Sequence, residues 1–181
     1  MKAIEYKTMD KSNWGPGPWQ DEPDKMQWMD EATGMPCLIV RNSMGNLCGY
    51  VGVAADHPWH GKDYNASVGP HTDTCDKDPE LYHYGCTISG ILDAHGGINF
   101  SRECHPNGDE KSSICHLPEP GEPDHMWWFG FDCGHCDDLS PGMADINKRL
   151  GISHYRHGIY RDVAYVKDQI ASLAKQLKAV A

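Results

Sequence analysis

The chain has 181 residues, 16 Lys and Arg against 26 Asp and Glu, a formal charge of −10 and a sequence pI near 5.4. That length suits one domain, residues 1–181, around one core. The acidic balance, with no basic run, excludes nucleic-acid polymers and anionic membranes as partners, because both need clustered cations. No apolar run approaches a membrane span, and the first 30 residues hold no apolar core flanked by basic residues, so a cytoplasmic protein is expected.

Residues 1–24 read as an extended arm rich in Pro, Gly and Trp (Trp14-Gly-Pro-Gly-Pro-Trp19), because repeated Pro forbids helix. The arm is expected to drape over the core and anchor through its tryptophans. Lys25 to Asp30 reads as a short strand. Cys37–Arg41 and Leu47–Val53 are apolar and β-branched around Asn42-Ser-Met-Gly-Asn46, which predicts a hairpin. Residues 54–90 are loop-rich. Strands are expected at Ile88–Leu92 and Ile98–Phe100, and another at Met126–Asp132 after a polar loop over 101–124.

Residues 160–180 predict a C-terminal helix. Val163, Val166, Ile170, Leu173, Leu177 and Val180 recur every three or four residues and make one apolar stripe. The stripe is expected to pack on the sheet, with pairing across a homodimer as the alternative. Short strands separated by long loops, not by helices, predict an α+β fold: a mainly antiparallel sheet and a C-terminal amphipathic helix.

Eight cysteines and eleven histidines are unusual for 181 residues. With no secretory signal, reduced thiols and metal ligands are expected in place of a disulfide framework. Cys37 and Cys48, inside strands, read as small buried apolar residues. The densest chemistry follows the Trp127-Trp128 strand, where Asp132, Cys133, His135, Cys136 and Asp138 fall within seven residues.

Three kinds of chemistry fit that segment. In the first, His57, His95, Cys133 and His135 supply ligands for zinc, and Asp132, His135, Asp138 and His95 are the catalytic candidates of a metal-assisted hydrolase. The glycines Gly96 and Gly97 allow close backbone approach and could aim amides at an anion. The second is a non-catalytic binding protein, in which Arg41, Tyr64, Trp127 and Trp128 recognise and stack on a small anionic molecule such as a nucleotide. In the third, Cys133-Gly-His-Cys136 has the spacing of a dithiol oxidoreductase, although Asp132, Asp137 and Asp138 would raise its thiol pKa values. Cys104-His105 and Cys115-His116 form a further candidate metal site. For an anionic ligand, the charge of −10 must be reversed locally by Arg41, Lys62, Arg102 or a metal.

The sequence also resembles a family of uncharacterised bacteriophage and bacterial proteins. The resemblance rests on Met35-Pro-Cys-Leu-Ile-Val-Arg41, Leu47-Cys-Gly-Tyr-Val-Gly-Val53, His57-Pro58, Gly61-Lys-Asp-Tyr64, His95-Gly-Gly97, Pro120-Gly-Glu-Pro-Asp124 and Trp127-Trp-Phe-Gly-Phe-Asp-Cys133 with His135 and Asp138. Family members carry Ala where Cys136 stands, which makes the second thiol incidental. The resemblance brings no established activity and implies a phage context, in the host cytoplasm, in which a small acidic protein is expected to degrade or sequester a host defence nucleotide signal.

Overall fold

A computed structural model describes residues 3–69, 86–104, 109–116, 118, 125–152 and 158–181. Six strands form one antiparallel sheet: β1 (Ile4–Tyr6), β2 (Lys25–Met29), β3 (Pro36–Arg41), β4 (Leu47–Val53), β5 (Phe100–Glu103) and β6 (Trp127–Asp132), in the order β1-β2-β3-β4-β6-β5. The helices are α1 (Ile88–Ile91), α2 (Pro141–Arg149) and α3 (Val163–Ala179). This is the α+β architecture expected from the pattern.

Strand alternation sorts the core into two faces. Cys37, Ile39, Val51, Val53, Phe129 and Phe131 point to the face that α3 covers. Leu38, Cys48, Tyr50 and Trp128 point to the other, where Met126 joins them. On α3, Val166, Ile170, Leu173, Ala174 and Leu177 are buried against the first face, and each large side chain there contributes about 1.5–3 kcal/mol. The helix comes close because β4 has a glycine beneath it: a Cβ on Gly49 would lie 2.5 Å from Phe131 Cζ and 2.9 Å from Ile170 Cγ1. The apolar stripe therefore packs on the sheet, the first of the two arrangements expected for it.

The β3–β4 hairpin closes through Asn42, whose Oδ1 accepts from the amides of Met44 (3.0 Å) and Asn46 (3.1 Å). The Asp162 side chain caps α3 by accepting from the Tyr165 amide at 2.8 Å.

Three expectations are corrected. The arm opens with a strand, β1, paired to β2 at the sheet edge, and then makes 3-10 turns at Ser12–Trp14 and Pro18–Gln20. Its Trp19 is buried edge-on to Tyr160, with ring centroids 5.0 Å apart. Ile88–Leu92 is not a strand: Thr87 Oγ1 accepts from the Gly90 amide and caps the single helical turn of α1. Ile98 is buried outside any strand, and pairing with β6 begins at Phe100. Pro141–Arg149 forms α2 behind the N-cap Ser140, with Pro141 at its first position.

Candidate metal centre

At the end of β6 the backbone turns sharply, with Asp132 Oδ1 accepting from the Gly134 amide at 2.8 Å. This turn presents His135, and three residues later Asp138, to the loop after α1 that carries His95. Asp138 is the centre of the cluster. Its Oδ2 lies 2.7 Å from His95 Nε2, 3.1 Å from the His135 amide and 3.5 Å from His135 Nδ1. Its Oδ1 accepts from Arg161 Nε at 2.8 Å. Burial alone would raise the Asp138 pKa, but hydrogen bonds from Arg161, His95 and the His135 amide outweigh it and hold the carboxyl below its ordinary value. Asp138 is thus an ionised carboxylate at 1% side-chain exposure.

The imidazoles are held from behind. His95 Nδ1 lies 2.9 Å from Tyr165 Oη, and the Arg161 guanidinium stacks on the Tyr165 ring at 4.7 Å. His135 lies edge-on to His95 at 5.3 Å between ring centroids and is 38% exposed. Gly96 takes φ +68°, and a Cβ there would overlap the His135 ring, so only glycine lets this imidazole reach its place.

One ligand atom from each of His95, His135 and Asp138 falls within 4.8 Å of the others, so the group can hold a metal ion. The surroundings fit that role. With Tyr165 occupying Nδ1 of His95 and Arg161 occupying Oδ1 of Asp138, Nε2 and Oδ2 are the atoms that face the common point. Such outer partners commonly orient metal ligands. His135 borders a cleft of about 540 Å³ that is also lined by Tyr50, Asn99, Phe100, Asp132 and Met143. Asn99 Nδ2 donates to Asp132 Oδ2 at 2.5 Å.

The structure brings together His95, His135 and Asp138, with Asp132 in the same cleft. It does not bring His57. His57 Nδ1 accepts from the Trp59 amide at 3.1 Å, so Nε2 carries the proton and donates to the Leu177 carbonyl at 3.0 Å. That bond satisfies a carbonyl in the last turn of α3, whereas Tyr165 and His95 sit at the helix start, twelve residues or about 18 Å away along the axis. Cys133 is also no ligand. It is 1% exposed in the core beneath α3, and burial, then Asp138, push its thiol pKa up. Cys136 is exposed, and both thiols are free. A buried thiol with raised pKa beside an exposed one makes poor dithiol chemistry.

Of the residues expected to bind an anion, Tyr64, Gly96 and Gly97 line a second cleft of about 600 Å³ on the other side of Asn99. The Gly97 amide donates to the Ala94 carbonyl at 2.9 Å, so it closes a turn in place of facing an anion. Arg41 is spent elsewhere. Nε donates to Asp24 (3.1 Å), Nη1 to Gly45 O (2.9 Å) and Tyr160 Oη (2.6 Å), and Nη2 to Glu22 (3.0 Å) and Pro23 O (3.1 Å). Trp128 is fully buried on the face opposite α3, and Trp127 Nε1 donates to Lys62 O at 2.9 Å. No stacking pocket unites these side chains.

The second candidate metal site is replaced by a covalent bond. Cys104 and Cys115, with Cα atoms 4.8 Å apart, form a disulfide, and Cys86 is also disulfide-bonded. Thiolates joined to each other cannot ligate a metal, and the expectation of reduced thiols throughout the chain is corrected. His116 packs edge-on to Trp128 at 5.4 Å, and His105 lies outside the described residues.

Sequence reasoning missed Asn99, Arg161 and Tyr165. A signal existed for the last two: they stand four residues apart across the Asp162 cap, so one turn of helix stacks them. Comparison with protein-family models, curated proteins and solved structures gives no match.

Proposed function

We propose that His95, His135 and Asp138 hold one zinc ion and that the protein is a metal-assisted hydrolase acting on a small molecule. The observation that carries this reading is the convergence of His95 and His135, forty residues apart, on one carboxylate oxygen at the rim of a cleft. Two imidazoles and a carboxylate leave an open position, and an ion so held lowers the pKa of bound water towards neutrality. Tyr165 and Arg161 keep His95 and Asp138 in their ligating orientations. Asp132, the other carboxylate of the cleft, is held by Asn99 and the Gly134 amide, and in this reading it accepts the proton of water.

Joined to the resemblance to phage proteins, the reading makes this an accessory activity that removes a small host molecule. A cytoplasmic site of action must accommodate the Cys104–Cys115 disulfide, which a reducing cytosol opposes. Among the described residues, no helix is long and apolar enough to cross a membrane.

A non-catalytic binding protein is the second reading. It is favoured by the satisfaction of Asp138 without any ion, through Arg161, His95 and the His135 amide. Elemental analysis of purified wild-type, His95→Ala and His135→Ala protein separates the two. The hydrolase reading requires one zinc per chain in the wild type, lost from both variants, and turnover that follows the metal. Metal-free wild type that binds and releases its ligand intact selects the second.

A further inference from the structure

The cleft beside His135 has a chemical character that the charge of the chain alone does not disclose. Two carboxylates, Asp132 and Asp138, are among its lining residues, and none of those residues is Lys or Arg. The charge of Asp138 is compensated by Arg161. Asp132 is held by two uncharged donors, the Asn99 carboxamide and the Gly134 amide, and forms no ion pair among the described residues. The side chains expected to reverse the field, Arg41, Lys62 and Arg102, are absent from this lining, and Arg41 is sealed behind the hairpin with its donors engaged, so a metal at the His95–His135–Asp138 cluster is the one cation left to act there.

The remaining walls are apolar. Tyr50 and Phe100 meet edge-to-face at 5.2 Å and line the cleft, and Phe131 lies beside them. Met44 and Met143 stand at its border and are each 37% exposed, an uncommon placement for two thioethers on one rim. Exposed methionines offer a soft surface that adapts to an apolar group. Away from the candidate metal centre itself, a phosphorylated compound entering here meets a carboxylate, no Lys or Arg side chain and a hydrophobic lip. An uncharged one meets carboxamides, aromatic edges and the candidate metal centre.

Resting on the metal reading of the same cluster, we propose that the cleft takes an uncharged acyl compound, an amide or ester bearing an aromatic or branched apolar group, and discriminates against phosphorylated molecules. In the reaction, the oxygen of water bonds to the carbonyl carbon and one of its protons passes to Asp132. The carbon–nitrogen or carbon–oxygen bond then breaks, and the leaving atom takes that proton. The products are a carboxylic acid and an amine or alcohol, and no oxidant or reductant is consumed. The Asp132 charge has a double part: it receives the proton, and it repels a second negative charge on the substrate.

The test uses the full chain loaded with cobalt(II) and three probes that share one metal-binding group: benzohydroxamic acid and its 4-carboxy and 4-aminomethyl derivatives. Change in the cobalt absorption band reports binding. The neutral and cationic probes are expected to bind about tenfold more tightly than the carboxylate, the size of a like-charge contact of about 7 Å in a partly solvated cleft. Asp132→Asn should close most of that gap while the cobalt band persists. A carboxylate probe that binds as well as the neutral one overturns the substrate class and leaves the metal reading standing. If no cobalt band forms and His135→Ala changes nothing, the metal reading fails and the acyl assignment falls with it.

Discussion

Two buried ions organise this molecule, and they are built differently. Arg41 is enclosed by Glu22, Asp24, Tyr160 and backbone carbonyls, and Lys11 joins the same network through a 2.6 Å contact to Asp24. Its partners are carboxylates, a phenol and backbone carbonyls closed around a buried guanidinium, and the cluster pins the N-terminal arm and Tyr160 to the hairpin. Asp138 likewise gathers partners from distant loops, but two of them are imidazoles, one is 38% exposed, and the cluster borders a cleft. A sealed network of strong ions fixes a fold. An open one containing titratable ligands is where chemistry can be placed. Sequence patterning treated Arg41 and the histidines alike as ligand residues, and only the surroundings separate them.

The comparison breaks most easily at Arg41. Arg41→Ala strips Glu22 of its guanidinium, leaves Asp24 with Lys11 alone and should cost about 3–5 kcal/mol, the usual price of orphaning buried charge. Urea denaturation measures it, and a loss below about 1 kcal/mol would show that the arm is not anchored there. At the other cluster the corresponding change acts on function. His135→Ala should leave stability within about 0.5 kcal/mol of the wild type, because the side chain is exposed, and should abolish stoichiometric zinc.

Gly96→Ala sharpens the contrast between support and ligand. The new methyl overlaps the His135 ring at a positive-φ position, so about 1–3 kcal/mol of strain is expected, released in part by displacing the imidazole. Denaturation and zinc titration should both show the defect. An unaltered zinc affinity would place His135 outside the ligand set. Tyr165→Phe removes only the hydroxyl behind His95 and should weaken metal binding by about 10–100-fold with the three ligands intact.

What the sequence made legible follows from how local each signal is. The β3–β4 hairpin, β6 and α3 each carry their pattern within one segment, and the structure has them within a few residues of expectation. The short elements went astray where a cap outweighed side-chain preference, as at Thr87 before α1. In the site, Asp132, His135 and Asp138 were visible as a cluster, and His95 was marked by its Gly-Gly neighbour. Nothing in sequence could show that His57 satisfies a carbonyl of α3, that Arg41 spends its donors on the arm, or that Cys104 and Cys115 face each other. Those outcomes depend on contacts between segments 11 to 120 residues apart.

Acid should act on both clusters in the same sense. Asp138 has a folded pKa below its ordinary 3.8, so its contribution to stability is complete above that value and is lost as pH falls through the lower one. Asp24 behaves in the same sense, with burial opposed by hydrogen bonds from Lys11 and the Met9 and Thr8 amides. Between pH 5 and pH 3, on the order of the unfolded carboxylate range, Asp138→Asn should therefore lose less stability than the wild type. Equal losses would mean that Asp138 titrates as an ordinary surface carboxylate.

Lys25 offers the finest distinction, because it is a further buried ion with no carboxylate in direct contact among the described residues. It is 0% exposed, and Nζ donates to the Cys115 carbonyl at 2.6 Å and to the Glu110 carbonyl. Burial lowers its pKa from 10.5 to about 8, against smaller opposing effects of Glu110 and Asp109. The unfolded chain keeps this proton up to about 10.5 while the folded one releases it near 8, so unfolding takes up a proton in between, and the Lys25 contribution to stability rises with pH across that window. The buried thiols act in the opposite sense: Cys48, raised by burial from 9.0 to about 11, costs stability as pH climbs past 9.0. The measurement is consequently the difference between wild type and Lys25→Met in urea unfolding from pH 7 to pH 10, which cancels the thiols. Relative to Lys25→Met, the wild type should gain stability above pH 8, and at pH 7 the substitution should be neutral or slightly stabilising, as apolar replacement of a buried ion often is. A flat difference curve would mean that the two carbonyls keep Lys25 protonated throughout, making it a fixed structural ion of the Arg41 kind.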